Sequence, residues 1–325
     1  MLKTYESQGF QYPKERQAQI QALKKELTQH STEWRTQLAK ANQKTLVITA
    51  EELKGTPDTI LERMASLKND DGTYTLRMGV SLDSFNVLTN SPNEALRKKV
   101  FMARYNRAKD TNFDVMAKIV QGRVRLAKLL GHDSWAASRL EDKMAKNTDT
   151  ALGFVTDLAA KLRPKFEAEI EELRKIKATE TNNANAKIEP WDVFYFTSQY
   201  EKKQFQIDEN ELRKYFEYNH VFDAMVKHYE SIFSINVKKV QAPYTWDEKV
   251  ELLELRDAEK DQILGFLYLD MFPRPADEKY GHFAMFGFRD GITFGNGISV
   301  LRWRLWSATF LKQQKASRRS SVLTT

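Results

Sequence analysis

Chemistry at a protein site needs a nucleophile, an acid–base group or a metal ligand, and this 325-residue sequence is sparing with all three. It has no cysteine and only five histidines. Thiolate catalysis and Cys-ligated zinc are therefore excluded, which leaves His, Asp and Glu as the side chains able to hold a transition metal. His220 and His228 are the closest pair. Eight residues apart on a predicted helix, they are separated by about two turns, too far to share one ion without a ligand between them. Glu217 and Glu230 lie nearby, but a structural or surface role for both rings is the simpler reading. The sequence contains no H-E-x-x-H, no phosphate-cradling glycine loop and no G-x-S-x-G, so nucleotide-binding and serine-hydrolase readings have no support.

Other residues invite a ligand reading and a plainer one. Trp191-Asp192 followed by Phe194, Tyr195 and Phe196 resembles a stacking box, yet rings directly after Pro190 are also what anchors a helix end in a core, and core packing is preferred. Arg274, between Pro273 and Pro275, fits bidentate carboxylate binding and a structural ion pair equally. The charged run from Glu167 to Lys177 reads as a solvated helix face.

The elements that would position these residues are mostly helical. Pro13 opens a polar helix through Lys44 with Ile20, Leu23, Leu27 and Trp34 on its apolar stripe. Thr45–Ile48 is short and β-branched, and Thr49 with Glu52 forms a capping-box pattern for a helix that Gly55 and Pro57 soon stop. Tyr74–Met78 reads as a strand. Ser91-Pro92-Asn93-Glu94 predicts a helix capped by Ser91, continued by Leu96, Val100 and Ala103. A further run places Met116, Ile119, Val120, Val124, Ala127 and Leu130 at helical spacing up to a C-cap at Gly131. Residues 148–178 form another predicted helix, with Leu152, Val155, Leu158 and Leu162 toward the core and Pro164 interrupting or kinking it. Residues 179–187 are a loop, and 211–235 a helix with Leu212, Tyr215, Phe216, Phe222, Met225 and Tyr229 on its apolar face. The period then changes. Val250–Leu255 and Ile263–Asp270, joined by a turn at 257–261, predict a hairpin, and His282–Phe288 a third strand of a small antiparallel meander near 249–289.

Charge is unevenly placed. Of the formal +7, six basic residues fall in 292–325, which holds no Asp or Glu, so the remaining +1 belongs to residues 1–291. No run of 18 apolar residues and no signal-peptide pattern occurs, so the cytoplasm is the expected location.

Leu267-Tyr268-Leu269-Asp270-Met271-Phe272-Pro273-Arg274, followed by Glu278-Lys279-Tyr280-Gly281-His282-Phe283-Ala284, closely resembles the Y-L-D-L-Y-P-R…K-Y-G-H-A-A stretch of the thimet oligopeptidase, neurolysin and saccharolysin family of zinc metallopeptidases. The likeness continues upstream through Thr49–Pro57, Leu129-Leu130-Gly131, Met144-Ala145-Lys146 and Pro190-Trp191-Asp192, in the family's order. It covers residues 1 to about 291. The resemblance implies a mainly α, two-lobed metallo-oligopeptidase acting on short peptides, with zinc held by an H-E-x-x-H helix and a later Glu. It implies neither a nucleic acid nor a membrane as partner, and leaves the oligomeric state open.

The sequence departs from that pattern where it matters most. The zinc motif should follow His282 by a few dozen residues, but Trp303-Arg304-Leu305-Trp306 and a basic tail stand there instead. The expectation is therefore the central part of a peptidase region, 1–291, lacking the family's N-terminal helices and its zinc motif, with no catalytic or metal-binding residue of its own and no zinc bound. Tyr280 and His282 are its substrate-binding candidates, because their strand lies nearest the missing site. Read two bases out of phase, Leu305–Thr325 can spell a sequence resembling the family segment just ahead of H-E-x-x-H. Residues 292–325 are thus expected to be a frameshifted, disordered tail. The alternative is a non-enzymatic helical scaffold whose basic tail, with Trp303 and Trp306 interleaved, binds nucleic acid or an anionic membrane.

Overall fold

The structure is a computed structural model describing residues 5–6, 8–206, 212 and 215–272, with strand backbone at 284–289 and 302–307. Mainly helical, it divides into two compact units, Met1–Gly55 with Asp71–Gly79 and Asp83–Tyr200, and Thr56–Asp70 with Val80–Leu82 and Glu201–Thr325.

The first unit is built on α1 (Lys14–Asn42), as Pro13 and the polar stripe predict. Its β1 (Thr45–Ile48) pairs antiparallel with β2 (Tyr74–Arg77). The capping box at Thr49 forms in both directions, Thr49 N donating to Glu52 Oε2 at 2.8 Å and Glu52 N to Thr49 Oγ1 at 3.1 Å. It closes turns and not a helix, since Gly55 at φ +82° ends the segment within a few residues. The next helix, α2 (Asp58–Arg63), belongs to the second unit and starts only after Pro57. After α3 (Ser81–Asn90) comes α4 (Glu94–Tyr105), whose cap is Asn93 and not Ser91: Asn93 Oδ1 accepts from Leu96 N at 3.2 Å. The shift has a cause, because Arg97 Nη1 donates to the carbonyls of Ser91 and Pro92, both at 2.8 Å, and holds them out of the helical ladder.

The helix α5 (Lys109–Leu129) lies along α1, and Ile20, Leu23 and Leu126 form the centre of their contact. Of the run the sequence sets at helical spacing, Ala127 is buried as a core position should be, but Met116, Val120 and Val124 are not. The structure turns them outward and buries Val115, Gly122, Leu126 and Ala127. Gly122 lies on the face toward α1: a Cβ there would stand 2.6 Å from Leu27 Cδ2, so any larger residue would oblige the Leu27 side chain to move. Gly131, at φ +80°, ends the helix as predicted, with Gly131 N on Lys128 O and His132 N on Ala127 O, the paired bonds of a Schellman cap.

A short α6 (Trp135–Leu140) leads to α7 (Thr148–Glu180), capped by Asn147. Pro164 does not interrupt α7. Leu152, Val155, Leu158 and Leu162, expected in the core, are exposed; burial on α7 is confined to its C-terminal part, where Leu173 packs with Tyr195 and Phe196 of α8 (Val193–Phe205). The amphipathic spacing is present, but among the described residues none covers 152–169.

In the second unit α9 is Tyr218–Phe233, so Leu212, Tyr215 and Phe216 fall outside it and are exposed. Its Phe222 and Tyr218 pack on Leu253, Leu269 and Met271. The sheet runs β3-β4-β5-β7-β6, made of β3 (Ile235–Val240), β4 (Glu251–Asp257), β5 (Ile263–Asp270), β6 (Ala284–Arg289) and β7 (Arg302–Ser307). The β4–β5 hairpin matches expectation, but the meander does not continue: β5 pairs in parallel with β7, and β6 joins only through β7. The segment expected as a featureless tail therefore contains one strand, β7; the rest of 292–325 lies outside the described residues.

Candidate functional site

Tyr280, His282 and Arg274 all lie outside the described residues, so no geometry attaches to them. His220 and His228 are both exposed on α9. Their acidic neighbours are engaged in the backbone, Glu217 Oε2 accepting from His220 N at 2.8 Å and Glu230 Oε1 from Val237 N at 2.8 Å. Among the described residues no group of three or more His, Asp or Glu side chains is disposed to hold a metal ion.

What the structure does assemble is a buried ionic node around the Pro190-Trp191-Asp192 landmark. Asp192, at the N-terminal end of α8, is fully buried, and Arg97 of α4 is 1% exposed. Arg97 Nη2 donates to Asp192 Oδ1 at 2.7 Å. Lys177, from the end of α7, donates to Asp192 Oδ2 at 2.6 Å, and Glu189 N reaches the same oxygen at 3.1 Å. Lys177 also pairs with Glu94 Oε2 at 3.0 Å, while Glu94 Oε1 accepts from Trp191 Nε1 at 3.3 Å. Two cations thus meet two carboxylates across three helices and a loop.

The surroundings are aromatic. The Arg97 guanidinium lies 4.4 Å from the Tyr195 ring centroid, and Tyr195 donates its hydroxyl to Glu180 at 2.7 Å. Burial, reinforced by Glu180, drives the Tyr195 phenol far above its ordinary range. For Lys177 burial pulls the pKa down, but its bonds to Asp192 and Glu94 outweigh this, and the net shift is upward. Lys177 is therefore ammonium at neutral pH. With two cations paired against two carboxylates, the node ties the ends of α4, α7 and α8 together.

Core packing was the preferred reading of the rings at 191–196, and Tyr195 and Phe196 are indeed buried. The ionic role of Asp192 was missed, as was the burial of Lys177, which the sequence places on a solvated face. A lone Asp at a helix start among four aromatics was the available signal, since such a carboxylate needs a partner if its neighbours are core.

Comparison with known proteins agrees with the resemblance read from the sequence. Peptidase family M3 matches residues 87–318. The chain belongs to this family. It is 28% identical to saccharolysin of Saccharomyces cerevisiae across 88% of its own length, 30% identical to oligopeptidase A of Salmonella typhimurium across 84%, and 26% identical to a probable thimet oligopeptidase of Arabidopsis thaliana across 96%. It spans only 41%, 41% and 43% of those relatives. The node residues Glu94, Arg97, Lys177 and Asp192 all fall inside the M3 match, which also runs into the basic tail.

Proposed function

We propose that this chain carries part of the scaffold of a zinc metallo-oligopeptidase, whose substrates are short peptides, and that by itself it does not catalyse their hydrolysis. The observation carrying both halves is a family match from 87 to 318 in a sequence with no H-E-x-x-H anywhere. Zinc in such a site needs two histidines on one helix face and a further carboxylate, and the residues present do not fit it. Among the described histidines, His30 lies between Glu26 and Glu33, 3.8 and 3.6 Å from opposite ring nitrogens, and His132 faces Glu141 at 3.9 Å. Neither offers converging ligands at bonding distance.

The test is to purify the full chain, equilibrate it with zinc, measure bound metal by mass spectrometry and assay a quenched fluorescent short peptide. No stoichiometric zinc and no turnover are expected. Turnover that a chelator removes and zinc restores would overturn the inactivity. We propose further that the reading frame shifts between about Gly291 and Leu305; the out-of-phase reading of Leu305–Thr325 supports this, while the family match running to residue 318 counts against it. Sequencing the coding DNA decides it, and a shifted frame without an H-E-x-x-H codon run beyond Thr325 would sink the idea.

A further inference from the structure

We infer that the bare faces of α7 and α5 are docking surfaces for apolar helical segments of the larger M3 fold, supplied by polypeptide outside the stretch this chain shares with its relatives. On α7 every residue from 152 to 169 is exposed. Leu152, Val155, Leu162 and Phe166 are 67%, 60%, 52% and 59% accessible, and with Ala159 they stand three and four residues apart in alternation. That spacing forms a single seam, the pattern by which one helix receives another. Ala159, Leu162, Arg163, Lys165, Phe166 and Glu169 line a shallow hollow on this helix, a socket of the kind that an incoming side chain fills. From 152 to 169 the described residues bury none of this helix, and helical stability in proteins comes mostly from packing an amphipathic face, so the seam calls for a cover.

The charges indicate what the cover is. Lys161 pairs with Asp157 at 2.7 Å, Arg163 with Glu167 at 3.6 Å and Lys165 with Glu169 at 3.8 Å, all within α7. The seam's border is electrically neutral, so its occupant brings apolar side chains and needs no compensating charge. The α5 face repeats the case with Phe113, Met116, Val120 and Val124, all exposed. Both helices lie inside the M3 match, while more than half of saccharolysin and of oligopeptidase A lies outside the shared stretch. In those relatives the matched helices therefore stand in chains more than twice as long as the shared stretch.

The inference rests on family membership and not on activity, so it is tested by binding. The full chain is co-expressed with the portions of S. cerevisiae saccharolysin outside the 298 matched residues, made as separate polypeptides, and complexes are isolated through a tag on the saccharolysin portion. The double variant Leu162→Glu/Phe166→Glu and the single variant Val120→Glu serve as controls, with circular dichroism checking that they fold. Stoichiometric capture of the natural chain is expected, falling at least tenfold in the variants. No capture overturns the inference, as does equal capture of the variants. So does a discrete dimer of the chain alone, in sedimentation equilibrium, that the double variant abolishes, because a second copy would then be the occupant. A chain that turned over peptide would refute the inactivity proposed above and leave this readout intact.

Discussion

Removing the Asp192 carboxylate should be among the most damaging single changes available in the first unit. Asp192→Ala leaves Arg97 Nη2 without its 2.7 Å acceptor and Lys177 without its 2.6 Å one, although Lys177 retains Glu94 at 3.0 Å. Arg97 is the more exposed to loss: its Nε already has no hydrogen-bond partner among the described residues. Breaking a buried pair by deleting one partner costs about 3–5 kcal/mol, because the surviving charge stays desolvated. Against a typical domain stability of about 5–15 kcal/mol, this lowers the folding equilibrium by a factor between about a hundred and a few thousand. Urea unfolding followed by tryptophan fluorescence reports on the node, since Trp191 adjoins it, and the midpoint should fall with the slope unchanged. Asp192→Asn keeps the shape and should lose most of the same energy, separating charge from packing. In Asp192→Ala/Lys177→Met one orphaned cation is gone, so the double variant should be more stable than the sum of the singles by about 1 kcal/mol or more. A shift below about 1 kcal/mol for Asp192→Ala, with a native spectrum, would refute the account of the node as a buried charge cluster.

Further outcomes follow from the same structure. Lys177 and Tyr195 both have pKa values raised by folding, so each contributes stability fully present below its unfolded value, near 10, and lost as pH climbs through the folded one. Their contribution to the unfolding midpoint should be flat from pH 7 to about 9.5 and fall above about pH 10, and the fall should shrink in Tyr195→Phe. Gly79→Ala would set a Cβ 2.7 Å from the Asn42 carbonyl oxygen, a rigid neighbour, and should destabilise by about 1–3 kcal/mol in thermal melts. Gly153→Ala meets nothing within 4 Å on exposed α7 and should raise helicity, gaining up to about 1 kcal/mol.

Elements with strong local chemistry were legible in the residues. Pro13 and Gly131 bound their helices as the pattern implies, and the alternation around 250–270 gave the hairpin with its turn. What local pattern could not show was which face of a helix is covered. Met116, Val120 and Val124 stand at helical spacing as Val115 and Leu126 do, and the face that meets α1 is the one carrying Gly122 against Leu27. On α7 the pattern was read as inward because apolar stripes usually are, whereas burial depends on a neighbour, and among the described residues none covers 152–169. The cap at Asn93 was displaced by Arg97, a tertiary demand that no capping rule contains. Of the candidate site, the aromatic cluster was legible and its ionic centre was not, because Arg97, Lys177 and Asp192 meet only after three helices have docked.

The insertion of β7 between β5 and β6 also affects synthesis. Once β5 has emerged from the ribosome, β3, β4 and β5 can zip locally, but the strand that covers the far edge of β5 arrives only after the 31 residues 271–301 have been added. At ordinary elongation speeds that is roughly 2–6 s. For that interval Ile263–Asp270, an apolar strand, presents unpaired backbone groups to every neighbouring nascent chain. Chaperone dependence during translation, and the yield of soluble protein at different elongation rates, should therefore depend on when β7 emerges.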